Sequence, residues 1–188
     1  MAESIAKKLG PEKTFISEMR SMLVDFKAHL IFWPIAIIGL SFDLWTKYAV
    51  FKMLDYDGVH VVIKGFLEFV IRENNGAAWS IFSGKTTLLI AVASFAAIAI
   101  VIFFIFSGKQ PRIIHVAMGF LAAGVCGNLY DRIFNDGHVR DFIRVYYKSF
   151  EWPTFNVADS LLVTGVGLLI ISTLFIEKPD QKHAQQQK

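Results

Sequence analysis

The sequence holds a single cysteine, Cys126, among 188 residues. That excludes an internal disulfide and a cysteine-rich metal cluster. Cys126 stands between Val125 and Gly127 in an apolar segment, where a small core residue is expected. Charge is scarce too. Charged residues make up 19% of the chain and hydrophobic ones 54%, with a mean hydropathy of +0.48. A chain this apolar is not an ordinary soluble domain; most of it is expected to face lipid or neighbouring membrane helices. The net charge of +3 comes without a basic cluster, since lysines and arginines are dispersed or sit near the ends of apolar runs. Anionic headgroups are then a simpler partner than nucleic acid. No apolar run follows the early lysines, so a cleavable signal peptide is not expected. No internal repeat is evident, and the length suits one compact domain.

What is present is four apolar runs. The spans read as about 29–50, 86–106, 113–130 and 155–176, each near the ~20 residues that cross a ~30 Å hydrocarbon core. Ahead of them, a Gly10-Pro11 break ends a polar start. Phe15, Ile16, Met19, Met22, Leu23 and Phe26 then recur at helical spacing, which predicts an amphipathic helix on a membrane surface. The expected organisation is therefore an extension over 1–28, a membrane domain over 29–176 and a disordered polar tail over 177–188. Small residues in the third span, among them Ala117, Gly119, Ala123, Gly124 and Gly127, permit close helix contact. In the first loop, residues 59–72 are rich in β-branched and aromatic residues and read as two strands turning at Lys64-Gly65. Such a sheet is suited to cradling an extended peptide. Four spans place both termini on one side. The termini and the 107–112 turn carry ten lysines and arginines and the other two loops eight, a narrow bias towards cytoplasmic termini.

The chemistry gathers in residues 127–160, where Asp131, Asp136, Asp141 and Asp159 lie between or beside apolar runs. An aspartate close to lipid is costly, so it marks function or a specific ion pair. Asp141 is expected on the second loop and Asp159 at the start of span four, at one membrane face. Two carboxylates sharing a proton can hydrolyse a peptide bond, one as base on a water and the other as donor to the carbonyl oxygen. The same acids suit a Mg²⁺ site or an ion relay equally well on chemistry alone. No Gly-x-Ser-x-Gly or His-Glu-x-x-His occurs, and Cys126 has no evident histidine partner. Asp131 and Arg132 are expected to tie span three to the loop. Asp136, in Asn-Asp-Gly, reads as a solvated turn. Asp43 and Lys47, at i,i+4 spacing in span one, form either an interfacial anchor or a brace for the site. Asn74 and Gly76 read as a turn before a helix, with Gly76 allowing an unusual backbone and Asn74 able to bond a peptide group.

Five phrases in order carry a resemblance. They are Asp43 with Lys47; Asn74-x-Gly76-Ala-Ala-Trp-Ser; Gly127-Asn128-x-x-Asp131-Arg132; Gly137-x-Val139-x-Asp141-Phe142; and Phe155-Asn156-x-Ala158-Asp159-Ser160. Over residues 30–176 the chain resembles the lipoprotein signal peptidase family, also called signal peptidase II. The resemblance implies an all-α membrane protein of four transmembrane helices, with a small extracytoplasmic β-cradle and a short extracytoplasmic helix in the second loop. It implies a metal-independent aspartyl endopeptidase of the bacterial inner membrane, without cofactor. That enzyme cuts signal peptides from diacylglyceryl-modified prolipoproteins, just before the lipidated cysteine. Asp141 and Asp159 match the family's catalytic pair. Asn74, Gly76, Asn128, Arg132 and Asn156 match positions that shape the site or hold substrate, with Asp43, Lys47 and Asp131 in support. Membrane lipid is the other expected partner, nucleic acid is not one, and the chain is expected to be monomeric. Two departures stand out: Ala123 replaces a usual glycine, and Arg140 replaces a usual apolar residue and is placed to alter the charge around the dyad. An ion or substrate carrier using the same aspartates is the alternative. It is disfavoured because the acids fall on one face and none near a span's centre.

Overall fold

The computed structural model describes residues 23, 25–55, 58–76, 82–108 and 110–175. The upstream part of the amphipathic stretch, residues 77–81, Lys109 and the 177–188 tail lie outside these. Four helices carry the chain: α1 (Phe26–Met53), α2 (Thr86–Ile105), α3 (Arg112–Phe134) and α4 (Val157–Phe175). Each is long and apolar enough to cross a membrane. The first begins earlier than the sequence implied. Asp25 caps it by accepting from the Ala28 N–H at 2.9 Å, which satisfies a donor with no partner inside the helix. The helix thus starts three residues ahead of the apolar run read as 29–50.

α3 is the helix the others pack on, and its small residues explain why. A Cβ at Gly124 would sit 2.6 Å from the Ala158 carbonyl of α4. One at Gly119 would meet the Ile35 side chain of α1 at 2.8 Å. Backbones approach this closely only where side chains are absent. At one end of the bundle Phe32 and Phe104 stack with centroids 4.0 Å apart, joined by Met118 and Ile114 in an apolar core. The outward faces carry exposed Phe95, Val163 and Phe175, as lipid-facing helices do.

At the other end lies a four-stranded antiparallel sheet in the order β1 (Val59–Ile63), β2 (Leu67–Asn74), β3 (Val139–Tyr147) and β4 (Phe150–Glu151). β1 and β2 turn at residues 64–66 with Gly65 at φ +78°, close to the expected place. The second loop differs from expectation. Residues 135–156 hold no helix; they supply β3 and β4, so Asp141 lies on a strand rather than a loop. Entry to β3 uses the Asn135-Asp136-Gly137 turn. Asp136 and Gly137 both take positive φ, and the His138 N–H bonds the Asn135 carbonyl at 2.8 Å. Asp136 is exposed, in keeping with a solvated turn.

Candidate active site

Where α1, α3 and α4 meet the sheet, the polar residues singled out in the sequence come together. α4 starts with a reciprocal cap. The Asp159 N–H donates to Asn156 Oδ1 at 2.9 Å, and the Asn156 N–H donates to Asp159 Oδ2 at 3.1 Å. This capping box locks the Asp159 carboxylate at the helix's first turn, where the helix dipole favours negative charge. The same Asn156 reaches the sheet, since its Nδ2 donates to Asp141 Oδ1 at 2.7 Å. One fully buried asparagine thus joins a carboxylate on β3 to a carboxylate on α4.

Each carboxylate has a second amide. Asn74 Nδ2 donates to Asp141 Oδ2 at 3.2 Å, while Asn74 Oδ1 accepts the Gly76 N–H at 2.9 Å. Asn128 Nδ2 donates to Asp159 Oδ1 at 2.8 Å. Asn128 Oδ1 faces Lys47 Nζ at 3.2 Å and Asn156 Nδ2 at 3.1 Å. A cation on the oxygen side fixes which way the Asn128 amide points, and so which end meets Asp159.

Lys47 belongs to a buried set of charges below the two acids. It pairs with Asp43 Oδ2 at 2.8 Å and Asp131 Oδ2 at 3.0 Å, all three side chains fully buried. Asp43 Oδ1 accepts the Ala158 N–H at 2.8 Å, so α1 helps cap α4. Asp131 also accepts the Arg140 backbone N–H and Arg140 Nε, both at 3.0 Å. Lone ions this deep would cost several kcal/mol each; here every one has an opposite charge in contact. Asp43 and Lys47 are thus bonded to α3, to Asn128 and to the start of α4. Arg140 is turned to Asp131, and Asp131 ties α3 to Lys47 and β3. Arg132 instead bonds two carbonyls, Gly76 at 2.8 Å and Asn128 at 3.2 Å, and its buried Nε has no partner among the described residues.

Burial pushes the Asp141 carboxyl up to about 7, and the neighbouring Asp159 adds to this against the opposing bonds from Asn74 and Asn156. Burial and a neighbouring carboxylate both favour the protonated form of Asp141. Among the described residues no group of three or more His, Cys, Asp or Glu is arranged to hold a metal ion. Cys126 is half-buried and lines an apolar groove of about 420 Å³ between α1, α2 and α3, whose lining includes none of the acids.

A family model described as "Signal peptidase (SPase) II" matches residues 35–175. The lipoprotein signal peptidase of Clostridium novyi (strain NT) is 40% identical over 141 residues, 74% of this chain and 95% of that protein. The enzyme of the same name from Staphylococcus aureus (strain JH9) is 40% identical over 140 residues, 74% of this chain and 85% of that protein. A bacterial membrane enzyme structure obtained by the in meso method at 2.3 Å superposes with a TM-score of 0.73 and 35% identity, covering 86% of this chain and 97% of that one. A second, at 1.9 Å, gives 0.70 and 36%, covering 82% and 97%. Nothing among these likenesses supports a carrier. Sequence, fold and relatives agree, and the chain belongs to the signal peptidase II family.

Proposed function

We infer that this protein is an aspartyl endopeptidase of the bacterial inner membrane. It removes signal peptides from diacylglyceryl-modified prolipoproteins and cuts before the lipidated cysteine. The observation that carries the reading is the Asn156 bridge, which holds Asp141 and Asp159 in one polar site, while burial raises the Asp141 carboxyl to about 7.

In the first step the ionised Asp159 takes a proton from water as its oxygen attacks the scissile carbonyl carbon. Asp141 donates its proton to the carbonyl oxygen, giving a neutral tetrahedral intermediate. In the second step Asp159 gives its new proton to the departing nitrogen. The hydroxyl returns a proton to Asp141 as the carbonyl reforms, and the pair regains its single proton. Asn74, Asn128 and Asn156 orient the carboxylates, Arg132 and Gly76 line the peptide side, and Asp43, Lys47 and Asp131 brace the site from below. The enzyme works as a monomer without a cofactor, its termini in the cytoplasm and its site at the outer face.

The test is cleavage of a purified lipidated precursor. Turnover is expected to survive a metal chelator, to vanish in both Asp141→Asn and Asp159→Asn, and to fall steeply for the same precursor without its acyl chains. Near-normal turnover in either variant, or loss on chelation restored by Zn²⁺, would overturn the aspartyl mechanism. Equal rates with and without lipid would overturn the substrate assignment.

A further inference from the structure

The sheet carries Asp141 at one end and two turns at the other. β1 and β2 turn at Lys64, Gly65 and Phe66; β3 and β4 turn at Lys148 and Ser149. The turns are neighbours, because the Tyr146 N–H donates to the Phe66 carbonyl at 2.9 Å and Leu67 pairs with Val145. From Asp141 to the tip at Tyr147 is about 20 Å of strand, at ~3.3 Å per residue.

These turns expose large apolar side chains in a group. Ile63, Phe66, Tyr147, Phe150 and Trp152 are each between 47% and 63% exposed. Lys64 and Lys148 stand among them, both exposed. Lys148 holds φ at +55°, a region few non-glycine residues adopt, and its ammonium lies 5.4 Å from the Tyr147 ring centre. Of the nearby acids, Glu68 is taken up by Arg144 and Tyr146, and Glu151 stays exposed on β4. Rings and aliphatics interleaved with lysines suit the boundary layer of a bilayer, where apolar groups settle against acyl chains and ammonium groups meet lipid phosphates. The four helices already fix the sheet next to such a surface.

We propose that the paired turns 63–66 and 147–150 dock on anionic phospholipid headgroups of the bilayer that the helices cross, supporting the far end of the sheet. This has a consequence for the site. Asp141 rides on β3 and Asp159 on α4, joined through Asn156 and the Phe155–Ile143 backbone pair, so movement of the sheet about that junction bears on their separation. The bonds tying the sheet to α3, Arg140 to Asp131 and Asn135 to Glu73, lie at the Asp141 end. A second support some 20 Å along the strands, at ~3.3 Å per residue, restrains the tilt that those bonds leave free. Lipid charge thereby controls how often the two carboxylates share Asn156.

The docking does not depend on the peptidase reading, and its first test uses no substrate. A nitroxide is placed at Ser149→Cys in a Cys126→Ala background and reconstituted in phosphatidylcholine bilayers with and without phosphatidylglycerol. In the anionic bilayer the label is expected to collide with dissolved oxygen more than with a water-soluble nickel chelate. Neutralising Lys64 and Lys148 to Gln is expected to shift the balance back towards water by about fivefold per lysine. A label as open to the chelate as a free nitroxide in both bilayers overturns the docking. Equal depth with and without phosphatidylglycerol, or an unchanged depth in the double variant, overturns the anionic headgroup as the partner. The linked readout is cleavage: phosphatidylglycerol should raise the rate of the parent protein and not that of the double variant, and a rate indifferent to lipid charge overturns the coupling to the site.

Discussion

Asp141 is 4% exposed, and its carboxyl is held from 3.8 up to about 7. Each pKa unit corresponds to about 1.4 kcal/mol, so ionising it in the fold costs up to about 4 kcal/mol relative to the unfolded chain. The sign follows from proton counting. Between about pH 4 and 7 the folded state binds the proton and the unfolded state has lost it, so stability falls as pH rises through that window. An asparagine does not titrate. The Asp141→Asn variant should therefore gain thermal stability relative to the parent as pH rises from about 5 to 8, while showing no cleavage at any pH. Thermal unfolding in detergent at several pH values checks this, and a constant difference would mean that Asp141 is not held protonated. Cleavage by the parent should likewise decline above about pH 7, once the shared proton is lost. Much at this scale was legible. Both acids stood in the family's phrases, while the capping-box spacing of Asn156-x-x-Asp159 was a signal left unread. The reach of Asn156 to Asp141 was not legible, because it depends on where the strand carrying Asp141 docks.

β3 shows why one element escaped the sequence. Val139 to Tyr147 is rich in β-branched and aromatic residues, but Arg140, Asp141 and Arg144 interrupt it with charge. A strand half buried against a membrane bundle tolerates those charges only with partners, and the partners come from distant segments: Asp131 on α3, Asn74 on β2 with Asn156 before α4, and Glu68 on β2. The helices were easier, since length and apolar composition sufficed and only their ends moved. The small residues of α3 also announced close packing, and Gly127 makes it testable. A Cβ there would lie 3.1 Å from Ala158 Cβ and closer still to the Asp43 carboxylate. Gly127→Ala should push Asp43 off the Ala158 N–H and Lys47, costing about 1–3 kcal/mol as overpacking does. It should also lower kcat, since Ala158 directly precedes Asp159. Gly167→Ala, with nothing within 4 Å of its added carbon, is the comparison. It should leave both quantities nearly unchanged, and equal effects in the two variants would remove the packing argument.

The whole molecule is polar at one end and apolar along its length. The C-terminal ends of α1 and α3, the start of α4 and the sheet meet at that end, so the acids share a single face. A carrier needs a route to both faces, which this arrangement does not supply. Which face is outside depends on charge bias and on the substrate's own geometry. The 107–112 turn and the termini hold ten lysines and arginines against eight in the loops at the site end, a narrow excess. The scissile bond of a lipidated precursor adds a second argument. On the proposed function, the precursor's signal helix lies in the bilayer and its acyl chains insert beside it, so the bond sits at the membrane surface. The proposed orientation, with the site outwards, then puts the acids at the same depth. In a Cys126→Ala background, Glu73→Cys is therefore expected to react with an impermeant thiol reagent added to spheroplasts, and Lys109→Cys only after the membrane is opened. Glu73 suits the purpose because it is exposed and lies at the Asp141 end of the sheet, away from the two turns assigned to the headgroups. Labelling of Lys109→Cys but not of Glu73→Cys in intact spheroplasts would reverse the orientation. The site would then lie on the wrong side of the bilayer for a precursor whose lipid is anchored outside.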